Sequence, residues 1–235
     1  MNSTRNIAII PARCGSKGLV DKNIRPLNKI PLIAYTIKCA LNSNLFDEVM
    51  VSTDSQKYAD ISLSLGASVP VLRSNINSSD VSDSWDTVKE VLSYYNNLNI
   101  KFDTICLLQP TSPLRKVSDI IRSYEDLVNT EGNYIVSMCE CDHSPLWTTI
   151  LPHDRSMKSY FENNLISNNR QGLEKFYRIN GAIYIKKIKY SNEIELLDDM
   201  PYATIMDQYN SIDIDTQMDF ELAEFLMHKM ENIIK

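Results

Sequence analysis

Short apolar runs alternate with longer amphipathic stretches along the first 141 residues, and this alternation limits the possible folds more than any other sequence feature. The apolar runs have the length of buried strands, and the stretches between them space their apolar residues as helices do. The predicted strands are residues 7–12, 48–54, 103–109 and 133–141, with a further short extended segment at 67–73. The predicted helices are residues 31–44, 58–67, 82–98 and 117–128. Alternation at this spacing predicts an α/β fold, with a mostly parallel sheet and helices on both faces.

The pattern loosens after residue 141. Residues 142–178 contain two prolines and many asparagines and show little periodicity, so we interpret them as an insertion that leaves the sheet. Residues 181–187 and 211–215 are predicted to be strands, and residues 216–235 an amphipathic closing helix. We therefore expect a single domain over residues 1–235 that carries this insertion.

Charge and composition argue against several classes of partner. The chain has 235 residues, 43% of them hydrophobic, which is enough for a substantial core. A net charge of −6 argues against nucleic acid or an anionic membrane as the main partner, since both favour a basic face. No run has the length of a signal peptide or a membrane span, and an odd number of cysteines is typical of reduced thiols. We expect a cytoplasmic protein.

A loop rich in cations follows the first predicted strand directly. It combines two glycines, which allow backbone N–H groups to turn toward a ligand, with a hydroxyl group and two cations. These residues are Arg13, Gly15, Ser16, Lys17 and Gly18. Amides and cations together suit a triphosphate. Leu19 follows Gly18 where a Walker A loop needs lysine, so a P-loop kinase is not indicated, and a solvated glycine-rich turn is the alternative.

Two carboxylates near the end of the chain suit a divalent metal. Asp213 and Asp215 stand two apart in a predicted strand, which would direct both carboxylates to one side. Such a pair suits Mg²⁺, which prefers carboxylate, phosphate and water oxygens. A helix N-cap is the alternative for Asp215, because a helix is predicted directly after it. Asp54, after the second strand, is left open between a supporting group of the site and a turn former.

Parallel sheets bind ligands at the carboxyl ends of their strands, near the point where the strand order reverses. The segments that follow those ends are 13–23, 52–54, 109–115 and the Asp213–Asp215 pair. They are also the segments richest in polar and charged residues. The cations and the carboxylates are therefore expected to share one site.

The sequence blocks around these positions closely resemble those of the acylneuraminate cytidylyltransferases, also called CMP-sialic acid synthetases. The blocks are PARCGSKGLVDKN (11–23), VSTDS (51–55), VLRSNINSSD (71–80), LLQPTSPLR (107–115), RINGAIYI (178–185) and SIDIDTQMDF (211–220). They keep their order over nearly the whole chain. The resemblance implies a three-layer Rossmann-like nucleotidyltransferase fold and a homodimer, with residues 142–178 as a small dimerisation and sugar-binding subdomain.

The resemblance also implies a reaction in which CTP and a nine-carbon 2-keto acid sugar give the CMP-sugar and pyrophosphate, with Mg²⁺ or Mn²⁺ as cofactor. Arg13, Lys17 and Asp213 are the implied catalytic residues, and Asp213 and Asp215 the implied metal ligands. The implied nucleotide-binding residues are Arg13, Ser16, Lys17, Lys22, Asn23, Arg73 and Ser84. The implied sugar-binding residues are Gln109, Arg170, Gln171 and Asn180. A solvated charge is the alternative for Arg73 and for Arg170.

Two departures from the family pattern bear on the account. Val20 stands where the family often has proline, and Trp147 stands where some sialic-acid enzymes carry lysine. Trp147 would offer an apolar or stacking face, which leaves room for a related sugar such as legionaminic or pseudaminic acid; a core or interface aromatic is the alternative. Two rival functions stay open. One is a 3-deoxy-octulosonate cytidylyltransferase, whose opening motif lacks the GLxxKN continuation, and the other is a catalytically inactive nucleotide-binding module.

Overall fold

The fold is given by a computed structural model of the chain, which describes residues 4–15, 18–74, 84–163, 174–191 and 193–233. The strands are β1 (Asn6–Pro11), β2 (Pro26–Leu27), β3 (Ile30–Pro31), β4 (Glu48–Ser52), β5 (Thr104–Leu108), β6 (Tyr134–Glu140), β7 (Tyr177–Tyr190), β8 (Ile194–Leu196) and β9 (Pro201–Ile205). The helices are α1 (Leu32–Ser43), α2 (Gln56–Ser64), α3 (Ser84–Asn97), α4 (Val117–Asn129), α5 (Lys158–Asn163) and α6 (Gln217–Ile233).

The central sheet places the first strand between two parallel neighbours. In the described part of the chain the strands follow the order β4-β1-β5-β7-β6-β9, with β8 paired to the C-terminal end of β7. β1 runs parallel to β4 and β5, and β6 runs parallel to β9. β7 runs antiparallel to β5 and β6. This order confirms the predicted mostly parallel sheet.

Alternate residues of the buried strands supply two separate cores, one on each face of the sheet. Ala8 and Ile10 of β1 pack in the core that α1, α2 and α4 cover. Ile7 and Ile9 of the same strand pack in the core that α3 covers. Burial of such aliphatic side chains stabilises a fold by about 1.5–3 kcal/mol each, so both layers contribute. The predicted helices on both faces are confirmed.

A third cluster packs α6 against the chain that precedes α1. Its buried members are Leu19, Leu27, Leu32, Leu114, Ile214, Phe220, Ala223, Leu226 and Met227. Ile214 is the residue between the two aspartates, and Leu19 lies in the cationic loop after β1. Packing of these apolar side chains therefore holds the loop and the aspartates close together.

The prediction of a strand at residues 211–215 is wrong. Gln208–Ser211 form a 3₁₀ turn, and none of the described residues 212–215 belongs to a strand. The backbone N–H of Ile214 donates to the carbonyl of Thr111 at 2.9 Å, which ties this segment to the loop after β5. The alternating isoleucines imitate a strand, but Ile214 is buried in the cluster beneath α6.

Other strand predictions differ in extent. The extended segment predicted at 67–73 contributes a bridge between Ser68 and Met50 but no strand among the described residues. The predicted strand at 181–187 is the middle of the longer β7. β9 was not predicted, because it begins at Pro201 and its residues do not alternate between buried and exposed. Thr204 is buried, and the other four residues of β9 are exposed.

The chain leaves the sheet between β6 and β7, as expected for the insertion at 142–178. The described part of the insertion holds a 3₁₀ turn at Pro145–Trp147 and the short helix α5. Large apolar side chains are exposed there, with Ile150 at 94% and Phe161 at 68%. Its assignment as a dimerisation subdomain stays a prediction. Among the described residues, no helix is both long enough and apolar enough to span a bilayer.

Candidate functional site

The carboxyl ends of β1, β4 and β5 lie side by side, since these strands are adjacent and parallel. Three of the polar segments singled out in the sequence, 13–23, 52–54 and 109–115, follow these ends. Backbone contacts then bring in the fourth, because Ile214 N donates to Thr111 O. The fold therefore gathers all four segments at one edge of the sheet, as predicted.

The cationic loop is fixed at its start by the end of β4. The N–H of Ala12 donates to the carbonyl of Ser52 at 2.9 Å. The N–H of Cys14 donates to Oδ1 of Asp54 at 2.8 Å, and the Cys14 thiol lies 3.2 Å from Oδ2 of the same carboxylate. The hydrogen bond to Asp54 is the main cause that raises the pKa of the Cys14 thiol, with burial and the negative charge of Asp54 adding to it.

The same loop is fixed again where it ends. The hydroxyl of Tyr58, on α2, donates to Oδ1 of Asp21 at 3.1 Å. Asn23 is buried, and its Nδ2 donates to the carbonyl of Arg13 at 3.3 Å, which closes the loop on itself. The other amide atom of Asn23, Oδ1, is buried and has no hydrogen-bond partner among the described residues. That oxygen is available to a donor from a ligand.

Lys22 joins the loop to the aspartate segment. Its Nζ donates to the carbonyl of Ile214 at 2.6 Å and pairs with Oδ1 of Asp215 at 2.9 Å. The backbones also approach closely, since a Cβ added at Gly18 would lie 2.9 Å from the carbonyl oxygen of Asp215. Any other residue at position 18 would push the two segments apart. The loop and the aspartates thus form one site.

Asp213 is the more enclosed of the two aspartates. Its Oδ1 is buried and has no hydrogen-bond partner in the described part of the chain. Burial raises the pKa of Asp213, Thr111 lowers it, and the nearby charge of Asp215 raises it again. Gly181 in β7 faces this carboxylate: its φ is +77°, and an added Cβ would lie 3.4 Å from Oδ2 of Asp213. Glycine here leaves space beside the carboxylate.

The two carboxylates fit a magnesium site of the kind completed by a substrate. The described residues contain no group of three or more His, Cys, Asp or Glu side chains suited to a metal. Mg²⁺ is commonly held by one or two carboxylates plus substrate phosphates and waters, so Asp213 and Asp215 are sufficient in number and chemistry. The buried, unpartnered Oδ1 of Asp213 is the observation that fits such an ion.

The N-cap of α6 is Thr216, so the cap suggested for Asp215 is not seen. Asp219 accepts hydrogen bonds from the N–H of Thr216 at 2.8 Å and its hydroxyl at 2.7 Å. In return, the Thr216 hydroxyl accepts from the N–H of Asp219 at 3.3 Å, which completes a capping box. Burial raises the pKa of Asp219, but the hydrogen bonds from Thr216 outweigh it, and the net shift is downward. Asp215 is left free of the capping role.

Arg73 is a buried residue of the site, so the alternative of a solvated charge is wrong. Its Nε and Nη2 donate to the hydroxyl and the carbonyl of Ser52 at 3.1 and 2.6 Å. Burial lowers the pKa of Arg73, the carboxylates of Asp54 and Glu90 raise it, and the charge of Arg13 lowers it. The positive charges of Arg13 and Arg73 therefore oppose each other, and an anion bound near both would relieve this repulsion.

Gln109 and Ser84 meet across the site. The amide Nε2 of Gln109 lies 3.5 Å from the hydroxyl of Ser84, at the start of α3. Arg115 holds the backbone of Gln109 in place. Its Nη1 donates to the carbonyl of Gln109 at 3.2 Å and to the carbonyl of Ala182 at 2.8 Å. Arg115 also donates to Thr36 Oγ1 at 2.7 Å, so one buried guanidinium ties β5, β7 and α1 together. Arg115 is the last residue of the LLQPTSPLR block, but no role was predicted for it from the sequence.

Asn180 lies in the core beneath the site. It is 2% exposed, and its Nδ2 donates to the hydroxyl of Ser211 at 2.8 Å. Its Oδ1 accepts from the hydroxyl of Ser137 at 2.6 Å and from the N–H of Ala182 at 3.2 Å. These bonds join β6 and β7 to the turn before Asp213. They support a structural role, and the predicted sugar contact of Asn180 stays a prediction.

The remaining sugar-side positions lie further along the sheet or outside the described residues. Trp147 lines a cleft of about 360 Å³ at the carboxyl end of β6, together with Glu140, Cys141, Asp142, Ser144, Glu174, Lys175, Phe176 and Gln208. Trp147 is half-buried. Arg170 and Gln171, like Ser16 and Lys17 of the loop, fall outside the part of the chain that the structure describes.

Comparison with known proteins identifies close relatives. Residues 7–232 match the family model described as Cytidylyltransferase. The CMP-N,N'-diacetyllegionaminic acid synthase of Legionella pneumophila is 39% identical over 95% of this chain and 96% of its own. The N-acylneuraminate cytidylyltransferase of Escherichia coli is 38% identical over 96% of this chain, which spans about half, 53%, of that protein. The pseudaminic acid cytidylyltransferase of Campylobacter jejuni is 30% identical over 94% of this chain and 96% of its own.

Solved structures share the fold at much lower identity. A CMP:2-keto-3-deoxy-manno-octonic acid synthetase in complex with CTP gives a TM-score of 0.70 at 15% identity, over 97% of this chain and 100% of that one. A 4-diphosphocytidyl-2C-methyl-D-erythritol synthase of Anaerococcus prevotii gives 0.61 at 13% identity, over 96% and 99%. These structures confirm the Rossmann-like nucleotidyltransferase fold.

Proposed function

The chain belongs to the cytidylyltransferase family, and from that premise we propose that it couples CTP to a nonulosonic acid, a nine-carbon 2-keto acid sugar. The products are the CMP-sugar and pyrophosphate. The sugar class is supported by the relatives in Legionella, Escherichia and Campylobacter, whose names specify legionaminic, neuraminic and pseudaminic acids. N-acetylneuraminic acid or a close relative such as legionaminic acid is the proposed substrate.

The observation that carries this proposal is the contact between the cationic loop and the aspartate pair. Lys22 Nζ lies 2.9 Å from Asp215 Oδ1, although the two residues are 193 positions apart in the chain. A nucleoside triphosphate needs cations for its phosphates and, close by, carboxylates for the divalent ion that accompanies it. Both lie at the carboxyl ends of the same parallel strands, where this fold class binds ligands.

The nucleotide side follows from the contacts of the loop. We propose that Arg13, Ser16 and Lys17 bind the triphosphate, together with the backbone N–H groups of the loop. The buried Arg73 then lies beside the cytidine, with Ser84 and Asn23 as hydrogen-bonding partners. Because Arg73 is already held by Ser52, its guanidinium loses little side-chain entropy when the nucleotide binds.

The chemical step is a displacement at the α-phosphorus. The anomeric hydroxyl of the sugar forms a new O–P bond, its proton is released, and the bond to the pyrophosphate oxygen breaks. Since phosphoryl transfer spreads negative charge over the phosphate oxygens, the residues act mainly by positioning and charge neutralisation. Lys17 is proposed to neutralise the charge that grows on the departing pyrophosphate. Gln109 is proposed to orient the sugar, with its backbone held by Arg115.

Asp213 and Asp215 would hold the divalent ion, Mg²⁺ or Mn²⁺. When bound, such an ion neutralises phosphate oxygens and lowers the pKa of oxygen ligands. Burial already raises the pKa of Asp213, so its carboxylate gains from a cation nearby more than an exposed aspartate would.

We further propose that the enzyme acts as a cytoplasmic homodimer. The exposed apolar side chains of the insertion support a second copy as their partner. Arg170 and Gln171 then bind the sugar carboxylate or its glycerol tail, from either subunit. Five free cysteines, Cys14, Cys39, Cys106, Cys139 and Cys141, fit a reducing compartment.

The test is an assay of pyrophosphate release from CTP, with Mg²⁺ and a panel of purified sugars. The panel contains N-acetylneuraminic, diacetyllegionaminic and pseudaminic acids and 3-deoxy-octulosonate. We expect turnover with at least one of the three nine-carbon sugars and none with CTP alone. Selective turnover of the octulosonate would instead support the rival enzyme, and CTP binding without release with any sugar would support an inactive nucleotide-binding module.

A further inference from the structure

We propose that Asp54 is a positioning residue of the nucleotide site, whose side-chain oxygen sets the path of the cationic loop as it leaves the sheet. This inference rests on the proposed function, because the loop matters through the triphosphate that it binds. Neither the family resemblance nor the relatives assign a role to this residue. The carboxylate itself need not touch the nucleotide.

The hydrogen-bond pattern between β1 and β4 carries the argument. The strands pair in parallel from Ile7 with Glu48 up to Pro11 with Ser52, and Ala12 N then donates to Ser52 O at 2.9 Å. In a parallel ladder the next bond would run from the N–H of residue 14 to the backbone carbonyl of residue 54. Here Cys14 N donates to the side-chain Oδ1 of Asp54 at 2.8 Å instead. The carboxylate substitutes for a strand carbonyl.

This substitution allows the two chains to separate without leaving a donor unpaired. The carbonyl of Thr53 accepts from Arg73 N at 2.8 Å, so the backbone after β4 is already turning toward Arg73. The loop after β1 continues through Gly15, whose φ is +76°. The side chain of Asp54 spans the gap that opens between them. It thereby fixes the residue next to Arg13, the first cation of the loop.

A carboxylate close to a bound triphosphate would normally oppose binding, so its presence needs a compensating reason. Its two oxygens accept from two donors of one residue, the N–H and the thiol of Cys14. Asp54 is also close enough to Arg73 to stabilise that buried guanidinium. The loop is therefore fixed by the acceptor oxygen, and Arg73 keeps its position without the charge of Asp54 because it donates to the hydroxyl and the carbonyl of Ser52.

This distinction gives a matched pair of variants. Asp54→Ala removes the acceptor and leaves Cys14 N without its partner, whereas Asp54→Asn keeps an oxygen acceptor at the same position and removes the charge. We expect Asp54→Ala to raise both the Kd for CTP and the KM for CTP about tenfold, with the KM for the sugar changed less than about twofold. Asp54→Asn should restore both values to within about twofold of the wild-type enzyme.

The experiment combines CTP titration by calorimetry with steady-state kinetics on the full chain, with thermal melting of each variant. Asp60→Ala is the control on the same side of the sheet, because Asp60 is exposed on α2 and accepts from Gln56 at 2.8 Å. Binding of CTP by Asp54→Ala that equals the wild type would overturn the inference. So would an Asp54→Asn variant as weak as Asp54→Ala, since the charge and not the acceptor would then matter.

The experiment distinguishes a failure of the proposed function from a failure of the positioning role of Asp54. If the wild-type chain releases no pyrophosphate with any sugar, the proposed function fails, but the CTP titration still compares the variants. If the wild type is active and Asp54→Ala loses affinity for CTP and the sugar equally, the positioning role fails while the function stands.

Discussion

The proposed nucleotide side and the proposed sugar side of the site are built differently. On the nucleotide side, hydrogen bonds join residues far apart in the chain, as between Cys14 and Asp54 and between Lys22 and Ile214. On the sugar side, the described part of the insertion forms local bonds, such as Tyr160 with Leu146 and Lys158 with Glu162. Ile150 and Phe161 of the insertion are exposed, whereas Leu19 and Ile214, which pack between the loop and the aspartates, are buried, although Val20 of the loop is exposed.

This contrast indicates which part of the proposed chemistry one chain supplies by itself. Bonds that span the sequence fix the loop, Arg73 and the aspartates before any ligand arrives, so the nucleotide side is preorganised. The insertion is tied to the sheet near its end, where Cys141 N donates to Phe176 O and Lys175 pairs with Glu140, while bonds such as that of Tyr160 with Leu146 are local. We therefore expect substitutions on the nucleotide side to act within one subunit, and those on the insertion to act through assembly.

The largest effect is expected for Lys17→Ala. Removal of a cation from developing charge should lower kcat by about 10²–10³-fold, since preorganised charge makes a large contribution to such reactions. The melting temperature should stay unchanged. Steady-state kinetics with saturating CTP, with Lys38→Ala on the exposed face of α1 as control, would check this. A kcat within a few-fold of wild type would remove Lys17 from the catalytic set.

Asp213→Asn is expected to impair turnover and yet stabilise the fold. Burial raises the pKa of Asp213 in the folded state above its value in the unfolded chain. The folded state therefore loses stability as the pH rises from the unfolded pKa through the folded pKa and the carboxylate ionises. The Asn variant should therefore melt higher than the metal-free wild type at pH 7, with the gap shrinking as the pH falls toward the ordinary range of aspartate. Melting curves without metal across that pH range measure it.

The kinetic half of this prediction concerns the metal. If Asp213 is a ligand, the variant should need more Mg²⁺ for half-maximal turnover, by about tenfold or more. An unchanged Mg²⁺ dependence would contradict the ligand role even if the stability gain appears. The nucleotide side would then be preorganised for the phosphates alone.

Ile150→Asp probes the sugar side. If the insertion pairs two copies, a charge at this exposed position should weaken self-association by roughly tenfold or more and lower turnover, while the Kd for CTP stays the same. Sedimentation and CTP titration check the two halves. Val128→Asp is the control, since Val128 is 79% exposed on α4, outside the insertion. A dimer as stable as wild type would contradict this role of the insertion.

The smallest effect is expected at the cap of α6, which supports the nucleotide side indirectly. Thr216→Ala removes half of the capping box and should cost about 1 kcal/mol of unfolding free energy, or roughly 2–4 °C in Tm. Because the net pKa shift of Asp219 is downward, its contribution should be present at neutral pH and be lost as the pH falls through its folded pKa. Gln217→Ala, at an exposed position of the same turn, is the control. An equal loss in both variants would argue against the cap.

Local patterns predicted most of the fold, and long-range contacts decided the rest. β1, β4 and β5 were predictable because they are buried on both faces and read as continuous apolar runs. β6 was predictable because its buried and partly exposed residues alternate regularly. Residues 211–215 also alternate, but Ile214 is buried and Ile212 partly buried in the cluster beneath α6 rather than in a sheet, and sequence period does not distinguish these cases. The aspartates keep their predicted place beside the loop because Lys22 and Gly18 make the contact, not because of a strand.

Individual site residues show the same limit. Arg73 could be predicted from the family resemblance. Its burial could not, because the buried guanidinium donates to Ser52, a residue in a different sequence block. The ligand contact of Asn180 was predicted only from the resemblance of the RINGAIYI block to the family. Its bonds to Ser137 and Ser211 depend on how three elements meet, which one sequence does not reveal.

The proposed function requires one nucleotide to lie between the cationic loop and the aspartate pair. A crystal structure with CTP and Mn²⁺ tests it most directly, because the anomalous signal of manganese locates the ion independently of the phosphates. We predict the ion on Asp213 and Asp215, with the triphosphate in contact with both this ion and the loop that begins at Arg13. Triphosphate bound elsewhere, or an ion bound away from both aspartates, would contradict the account.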